Sequence, residues 1–350
     1  MRCCFVLLLV CANLGAGTPS FVRRDIARLG GARIAGCALV GSKLATWGDR
    51  LRWWSLPAGK SNAAGPTGPF SEGGAILDVD RDEQPGLIVN ETAPGRALVW
   101  FQSPHWARYV IDTGIDTADV LPAELFGRRG ILVVQRRAQV RFYEIPQRPG
   151  DRWPMTEIYS FYTPSDQGGL LLADIDGDGR PDILCGNYWI RSPERFELPW
   201  RLFAIELWNE EPHSAMLRLA FLGPRELVAM QREMAEARFA WFQKPADPKQ
   251  LWIEHRIALA LDHPRGLDVA DFDGDGRPDL VVTEQGGAGR LLVFQNEGGG
   301  RLKPHVIATG VAADQVRVIQ SGRERPDILT IGKGIISLWR DQSRSPGIRP

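Results

Sequence analysis

The sequence has 350 residues, of which 44% are hydrophobic and 24% are charged, and it contains 38 glycines, 25 prolines and 12 tryptophans. These values describe a globular, turn-rich chain with a large core, and they exclude a disordered or collagen-like chain. The formal net charge at pH 7 is zero and no long basic run is present, so nucleic-acid binding has no electrostatic support.

Residues 1–17 have the pattern of a secretory signal peptide: a basic residue, a short apolar stretch from Phe5 to Val10, and then small residues. No stretch of the chain reaches the roughly 20 apolar residues that a membrane helix needs. The sequence therefore predicts an exported protein, secreted or periplasmic, with no transmembrane segment. The alternatives are a buried first strand and a lipoprotein anchored at Cys11. The anchor is disfavoured because Val10 stands where such signals carry Gly, Ala or Ser.

Two cysteines, Cys37 and Cys185, remain after removal of the predicted signal peptide. Two cysteines do not make the disulfide framework of a small secreted domain. Both lie in apolar, strand-like runs, so we expect them to be small buried side chains without a bridge or a metal.

Internal repeats dominate the rest of the chain. Residues 170–187 and 268–284 are nearly identical, and each contains an apolar strand, a loop rich in Asp and Gly, and a second apolar strand. Weaker copies lie at residues 75–91 and 316–332, and three relatives without an acidic loop bring the number of repeats to seven. The first apolar residue after each loop marks the seven units: Leu44, Leu87, Ile131, Ile183, Leu227, Leu280 and Ile328.

An aromatic residue that closes the next strand keeps step with this series: Trp54, Trp100, Phe142, Trp189, Trp241, Phe294 and Trp339. A further strand-like run follows before the next repeat, so each unit is predicted to contain four short strands. Units of this kind cannot bury their faces alone, and radial stacking into a β-propeller is the usual solution. The predicted fold is all-β: a seven-bladed β-propeller over residues 18–342, followed by a C-terminal tail at residues 343–350.

The N-terminal run at residues 20–30 has the pattern of a fourth strand although it precedes the first repeat. We therefore expect it to complete the last blade and close the ring. Residues 58–70, where the outer strand of the first blade should lie, fit the pattern poorly. Two stacked sandwiches would not explain the period. An EF-hand would require a bidentate acid where Cys185 and Val282 stand.

The two full acidic loops, residues 174–182 and 271–279, carry aspartate at loop positions 1, 3, 5 and 9. Alternation directs these side chains toward one centre, and glycines at positions 4 and 6 let the backbone turn the position-7 carbonyl inward. A capped Asp/Gly turn would explain one such loop, but two copies in register favour an oxygen-rich Ca²⁺ site. The predicted ligands are Asp174, Asp176, Asp178, Arg180 and Asp182 in one loop, and Asp271, Asp273, Asp275, Arg277 and Asp279 in the other.

A third loop contains Asp78, Asp80 and Asp82 but has Gly86 at position 9, and it predicts a weak calcium site at most. The seventh repeat keeps only Asp327 and is not expected to bind a metal.

On the motif DxDGDGxPDL after a short strand, the chain resembles the FG-GAP or VCBS-type repeat of integrin-alpha-like propellers and many exported bacterial proteins. The motif is specific in two repeats, partial in two and only positional in three. The resemblance implies a propeller with calcium in the loops between the first and second strands, and commonly adhesion or carbohydrate binding. It does not imply one chemistry, because a fold can host many functions.

If the first strand of each blade is innermost, the second strand ends on the face opposite the acidic loops. Polar residues recur there and predict a ligand funnel about the axis. The candidate residues are Trp47, Glu91, Gln135, Asn187, Gln231, His263 and Glu284. The alternative is that the strands simply end in water.

The preferred function is a non-enzymatic binding or adhesion module for a glycan or a cell-surface protein. One alternative is a polysaccharide lyase or hydrolase, in which Glu91, Glu284 and His263 would have to share a pocket. The other is a structural scaffold without a ligand. The chain contains no phosphate-binding loop, dinucleotide fingerprint or HExxH spacing, and the sequence does not predict an oligomeric state.

Overall fold

The structure is a computed structural model that describes residues 19–61, 65–162, 166–207, 216–232, 234–257, 259–320 and 325–342. Over these ranges the chain forms strands β1 to β28 and no helix. No helix that could cross a membrane is therefore found in them. The predicted signal peptide, residues 1–17, and the predicted tail, residues 343–350, lie outside the described residues.

The strands form seven four-stranded antiparallel sheets. The chain begins with β1 (Phe21–Arg28), which belongs to the last sheet. The first sheet contains β2 (Ile34–Val40), β3 (Lys43–Gly48), β4 (Arg52–Ser55) and β5 (Lys60–Ser61). The second contains β6 (Phe70–Leu77), β7 (Gly86–Glu91), β8 (Ala97–Gln102) and β9 (Ala107–Thr113). The third contains β10 (Thr117–Leu125), β11 (Arg128–Gln135), β12 (Gln139–Glu144) and β13 (Met155–Ser160).

The remaining sheets follow the same plan. The fourth contains β14 (Leu171–Ala173), β15 (Asp182–Cys185), β16 (Tyr188–Arg191) and β17 (Arg201–Ala204). The fifth contains β18 (Met216–Gly223), β19 (Glu226–Gln231), β20 (Phe239–Gln243) and β21 (Ile253–Arg256). The sixth contains β22 (Pro264–Ala270), β23 (Asp279–Glu284), β24 (Leu291–Asn296) and β25 (Leu302–Ala308). The seventh contains β26 (Gln315–Ile319), β27 (Asp327–Gly332) and β28 (Ile335–Asp341).

Each sheet is one blade of a seven-bladed β-propeller, whose strands we label A to D in order of pairing. In the seventh blade strand D is β1, which pairs antiparallel with β28 and places Phe21 opposite Asp341 and Arg28 opposite Ile335. Because successive strands are antiparallel, the A–B and C–D connections emerge on one face of the propeller. The B–C and D–A connections emerge on the other face.

The hydrophobic core consists of seven clusters, and each fills the space between two neighbouring blades. The middle strands are therefore buried on both faces; every residue of β23 and β24, for example, is buried. This two-sided burial explains why these strands appear in the sequence as continuous apolar runs without polar alternation. All seven apolar marker residues, Leu44 to Ile328, are completely buried. Cys37 and Cys185 are buried, as predicted, and both are free thiols.

The aromatic markers pack between blades, but they fall into two registers. In blades one, six and seven the aromatic lies directly opposite the apolar marker, as Trp54 does opposite Leu44. In the other four blades it is displaced by one residue, so that Trp100 lies opposite Ile88. Because neighbouring residues of a strand face opposite sides, the first set packs toward the preceding blade and the second set toward the following one.

Two places where the sequence departs from the repeat pattern also depart from the regular blade structure. The first blade has an outer strand, β5, but it contains only two residues. In the fourth blade, β15 and β16 are joined by a turn of two residues, Gly186 and Asn187, which brings the two strands close in sequence.

Candidate metal centres and the central cavity

The three acidic loops are the A–B connections of blades two, four and six, and in each loop three carboxylates converge. One oxygen from each aspartate at positions 1, 3 and 9 of the full loops lies within 4.8 Å of the other two. In the second blade the aspartates at positions 1, 3 and 5 are equally close. The three groups are Asp174, Asp176 and Asp182; Asp271, Asp273 and Asp279; and Asp78, Asp80 and Asp82.

The aspartate at position 1 shapes each full loop. In the fourth blade Asp174 accepts hydrogen bonds from the backbone N–H groups of Gly177, Asp178 and Gly179, at 2.8, 3.0 and 2.9 Å. Asp271 makes the same three contacts in the sixth blade. Gly177 and Gly179 have φ values of 77° and 83°, a region that favours glycine, and this explains the glycines at positions 4 and 6.

The aspartate at position 9 is a buried anchor. Asp182 is completely buried and accepts hydrogen bonds from Ile175 N (3.0 Å) and Ser192 N (2.7 Å). Asp279 makes the corresponding bonds in the sixth blade. Burial outweighs these hydrogen bonds and, with the nearby loop carboxylates, raises the pKa of Asp182 and of Asp279 to about 6. A cation at either centre would offset this cost of holding a buried negative charge.

The aspartate at position 3 receives a donor from the end of strand C, either its last residue or, in the sixth blade, the residue before it. Gln102 donates to Asp80 at 2.5 Å and Gln295 donates to Asp273 at 2.6 Å, whereas in the fourth blade the donor is the guanidinium of Arg191 to Asp176. The other oxygen of Asp176, Oδ1, is buried and has no hydrogen-bond partner among the described residues. A buried carboxylate oxygen without a donor fits a metal ligand.

The aspartate at position 5 departs from the prediction in both full loops. Asp178 and Asp275 are not among the converging carboxylates. Each forms an ion pair with the arginine at position 7, Arg180 or Arg277, and accepts a hydrogen bond from that residue's backbone N–H. Three of the four predicted carboxylates therefore converge in each full loop. Arg180 and Arg277 were expected to contribute through their carbonyls, and their side chains hold the position-5 aspartates.

The third loop lacks space for a fourth carboxylate. At position 9, a Cβ atom on Gly86 would lie 2.5 Å from the carbonyl oxygen of Phe101 and 2.5 Å from Nε1 of Trp100. The packing around Gly86 therefore leaves no room for an acidic side chain at this position.

Each acidic loop also contacts a cationic side chain of the following blade. Lys244 of the fifth blade donates to the carbonyl of Ile175 at 2.8 Å, and Arg325 of the seventh donates to that of Asp273 at 2.7 Å. Arg129 of the third blade donates to loop carbonyls of the second. The acidic loops thus lie at contacts between blades.

A cavity of about 290 Å³ lies on the axis, lined chiefly by strands A and the residues just before them. Glu72 of the second blade bonds there to Arg218 and Arg232 of the fifth, at 2.5 and 2.6 Å. Burial alone would raise the pKa of Glu72, but the two arginines outweigh burial and lower its pKa to about 2. The buried indole N–H of Trp47 donates to the carbonyl of Glu72 at 3.0 Å.

The other six residues predicted for the funnel do not line this cavity. Gln135 accepts from Asp116 N and Glu284 accepts from Asp262 N, so each fixes the connection that precedes strand A of its own blade. Gln231 is bonded to Arg238 N. The remaining residues also form local contacts: Glu91 with Arg108, Asn187 with Glu206, and His263 with Asp262.

Comparison with known proteins agrees with this architecture. The family model of the FG-GAP repeat matches residues 263–294, which include the acidic loop of the sixth blade. The β-propeller domain of Cps50 (Swd1) from Myceliophteria thermophila is similar in structure, with a TM-score of 0.63 and 11% identity over 91% of this chain and 99% of that domain.

BBS1N, in its complex with ARL6DN, gives a TM-score of 0.60 and 12% identity over 94% of this chain and 99% of that one. Identities this low show the fold alone. Comparison with curated proteins gave no sequence match. The chain is therefore a seven-bladed β-propeller that contains an FG-GAP repeat at residues 263–294.

Proposed function

We propose that the protein is an exported, calcium-binding β-propeller that acts as a non-enzymatic binding or adhesion module for a glycan or a cell-surface protein. The observation that carries the calcium proposal is the convergence of three carboxylates in each full acidic loop. In the fourth blade, Oδ1 of Asp176 is also buried without a donor among the described residues. Export rests on the signal-like pattern of residues 1–17.

Calcium would be held by Asp174, Asp176 and Asp182 in the fourth blade, and by Asp271, Asp273 and Asp279 in the sixth. Carboxylate oxygens are the ligands that Ca²⁺ prefers, and neither centre offers nitrogen or sulfur from histidine or cysteine. The ion would supply charge compensation and would fix the A–B connection against the following blade. The group of Asp78, Asp80 and Asp82 would bind calcium more weakly, because Gly86 at position 9 supplies no carboxylate.

The lyase or hydrolase alternative has less support. Glu91 is held by Arg108 in the second blade, and Glu284 by Arg290 in the sixth. A general acid and base must face one substrate, and these two carboxylates lie in separate blades against their own partners. A protein partner has a precedent in the fold, since the propeller BBS1N is described in complex with ARL6DN.

Thermal melting and calorimetry test the calcium proposal. We expect EDTA to lower the melting temperature, and calcium titrated into EDTA-treated protein to bind at two sites. A variant that combines Asp176→Ala with Asp273→Ala should show no heat of calcium binding at either site, and EDTA should lower its melting temperature much less. An Asp166→Ala variant, altered at an exposed aspartate outside the loops, serves as the control. Identical melting curves with and without EDTA would show that the calcium proposal is wrong.

A glycan array probed with and without EDTA tests the binding proposal separately. Binding to a defined class of glycan would support it. If no glycan binds, capture of cell-surface proteins from intact cells decides between the protein-binding arm and the scaffold alternative.

A further inference from the structure

Tryptophan exposure singles out one place on the molecule. The structure describes eleven of the twelve tryptophans, and nine of these are buried. The other two, Trp53 and Trp106, are partly exposed, and both line one cleft between the first and second blades. Two neighbouring indole rings left in contact with water forgo the stabilisation that full burial would provide. Their joint exposure therefore calls for a functional explanation.

We propose that this Trp53–Trp106 cleft binds a single pyranose ring of a carbohydrate chain. The inference rests on the proposed function and gives the glycan a site. The cleft has a volume of about 260 Å³, somewhat below the roughly 300–1,000 Å³ of pockets for drug-sized ligands. It is too small for a folded protein segment and fits one sugar ring of a longer chain.

The walls of the cleft suit the apolar face of a sugar. Trp53 projects from β4, Trp106 is the last residue of the C–D turn of the second blade, and Pro85 and Pro104 complete the apolar lining. The face of an indole ring carries negative charge density and attracts the weakly positive C–H hydrogens of a pyranose. Both tryptophans also pack against the core between these two blades, so they are attached to a rigid base.

Trp106 is held in place before a ligand arrives. The backbone of Gly65 lies against its ring, so that a Cβ atom there would be 2.7 Å from the indole. The backbone N–H of Trp106 donates to the backbone carbonyl of Gln102 at 2.8 Å. Its φ of 59° is unusual for a bulky residue, and such backbone geometry persists only where surrounding contacts enforce it. A pre-oriented aromatic lowers the entropy lost on binding.

The rim of the cleft supplies polar groups for hydroxyls. Lys43, Glu83 and Gln84 are exposed there, and their side chains make no hydrogen bond or ion pair with any described residue. They provide a cationic donor, an anionic acceptor, and an amide that can do both. A sugar hydroxyl both donates and accepts, so this mixed and electrically balanced set fits a neutral sugar better than an ion.

The cleft is on the face that carries the acidic loops. Glu83 and Gln84 belong to the loop of Asp78, Asp80 and Asp82, and their backbone N–H groups donate to Asp78 (3.1 Å) and Asp82 (2.8 Å). The predicted funnel is on the opposite face, so the cleft is a different ligand position from the one that the sequence suggested.

Isothermal titration calorimetry with four soluble hexasaccharides, built from β-1,4-linked glucose, N-acetylglucosamine, mannose and xylose, tests the proposal. At least one should bind the wild-type protein. Trp53→Ala and Trp106→Ala should each weaken that binding about tenfold or more. Tyr162→Ala, which removes an exposed aromatic outside the cleft, should leave it unchanged.

Because the tryptophans also pack on the core, Lys43→Ala and Glu83→Gln provide a second test that does not disturb packing. Both variants should melt like the wild type and bind the same hexasaccharide several-fold more weakly. If cleft variants that melt like the wild type also bind the hexasaccharide with wild-type affinity, the glycan binds elsewhere on the protein. The cleft proposal is then wrong, while the proposed function stands. Binding of decaproline, a ligand for aromatic grooves, in place of every hexasaccharide would overturn the cleft proposal. So would the absence of any binding. The calcium and glycan-array experiments then judge the proposed function independently.

Discussion

Glu72 and Arg218 form an ion pair across the propeller axis, with an N–O distance of 2.5 Å, although they are 146 residues apart in the chain. Glu72 belongs to the second blade and Arg218 to the fifth, so the pair connects opposite sides of the ring. Arg232 reaches the same carboxylate oxygen. The two guanidinium groups compensate the buried carboxylate and lower its pKa to about 2, from an ordinary value of 4.5.

This depressed pKa predicts a pH dependence. A carboxyl group whose pKa is lower in the folded state stabilises the fold above its unfolded pKa and loses that contribution as pH falls, here between about 4.5 and 2. The contribution is on the order of 3 kcal/mol. Urea unfolding of EDTA-treated protein over this pH range should show the loss in the wild type and a smaller one in Glu72→Gln.

Glu72→Gln should also be destabilised at pH 7 by roughly 3–5 kcal/mol, because it removes the carboxylate that compensates the charge of two largely buried guanidinium groups. Glu297→Gln is the matched control, since Glu297 forms only exposed ion pairs at 3.8 and 3.9 Å and surface pairs contribute little. If the free energy of unfolding falls by the same amount with pH in the wild type and in Glu72→Gln, the lowered pKa of Glu72 does not cause the pH dependence.

The propeller could be predicted from sequence because each blade repeats one pattern. Leu44 and its six equivalents recur at regular intervals, and all are completely buried. The position of an aromatic within its strand was less certain: Trp54 and Trp100 looked equivalent, but they face different neighbouring blades. A one-residue displacement reverses the side of the sheet, and the apolar composition of both faces hides it.

The site was predicted unevenly for a related reason. The converging aspartates follow from local loop chemistry, which the sequence contains. The funnel residues depend on strand ends, and in five blades the register shifts there, as between Thr117 and Asp119 opposite Gln135. A bulge redirects side chains. Trp53 and Trp106 could have been noticed because they fall outside the repeating aromatic positions, but their shared cleft depends on the contact between blades.

The two full acidic loops should differ in calcium affinity because the side chain that donates to the position-3 aspartate is Arg191 in the fourth blade and Gln295 in the sixth. Arg191 pairs with Asp176 and, at 3.2 Å, with Asp178, so its charge opposes a cation in that loop. Removing the positive charge of Arg191 should make calcium binding more favourable by about 1–4 kcal/mol, which corresponds to an affinity at least roughly tenfold higher. Arg191→Gln, in an Asp273→Ala background that leaves one full loop, should bind calcium more tightly by calorimetry.

The reciprocal change provides the control. Gln295→Arg in an Asp176→Ala background should weaken calcium binding to the sixth blade by a similar factor. The four proteins compared are the Asp273→Ala and Asp176→Ala backgrounds, each with and without its second substitution. If neither second substitution changes the calcium affinity of its background, the arginine moves away from the carboxylates without cost.

Lys244 should stabilise the junction between the fourth and fifth blades. Its ammonium donates to the carbonyl of Ile175 at 2.8 Å. Lys244→Met keeps the apolar stem and removes the charged donor, which should cost about 1–3 kcal/mol. The denaturation midpoint measures the effect, and Lys249→Met, at an exposed lysine close in sequence, should have none. A wild-type midpoint for Lys244→Met would show that this contact is replaced by water.

Gly86→Asp is the substitution that comparison of the repeats suggests for completing the third calcium loop. We expect it to fail. A Cβ atom at Gly86 would meet a backbone oxygen and the Trp100 ring at 2.5 Å, and overpacking of this kind typically costs about 1–3 kcal/mol. Calorimetry should find no added tight calcium site, and the melting temperature should fall. Gly95→Ala, at a glycine with open space around it, should melt like the wild type. A third tight site in a stable Gly86→Asp protein would show that β7 can move away from β8 to admit the ligand.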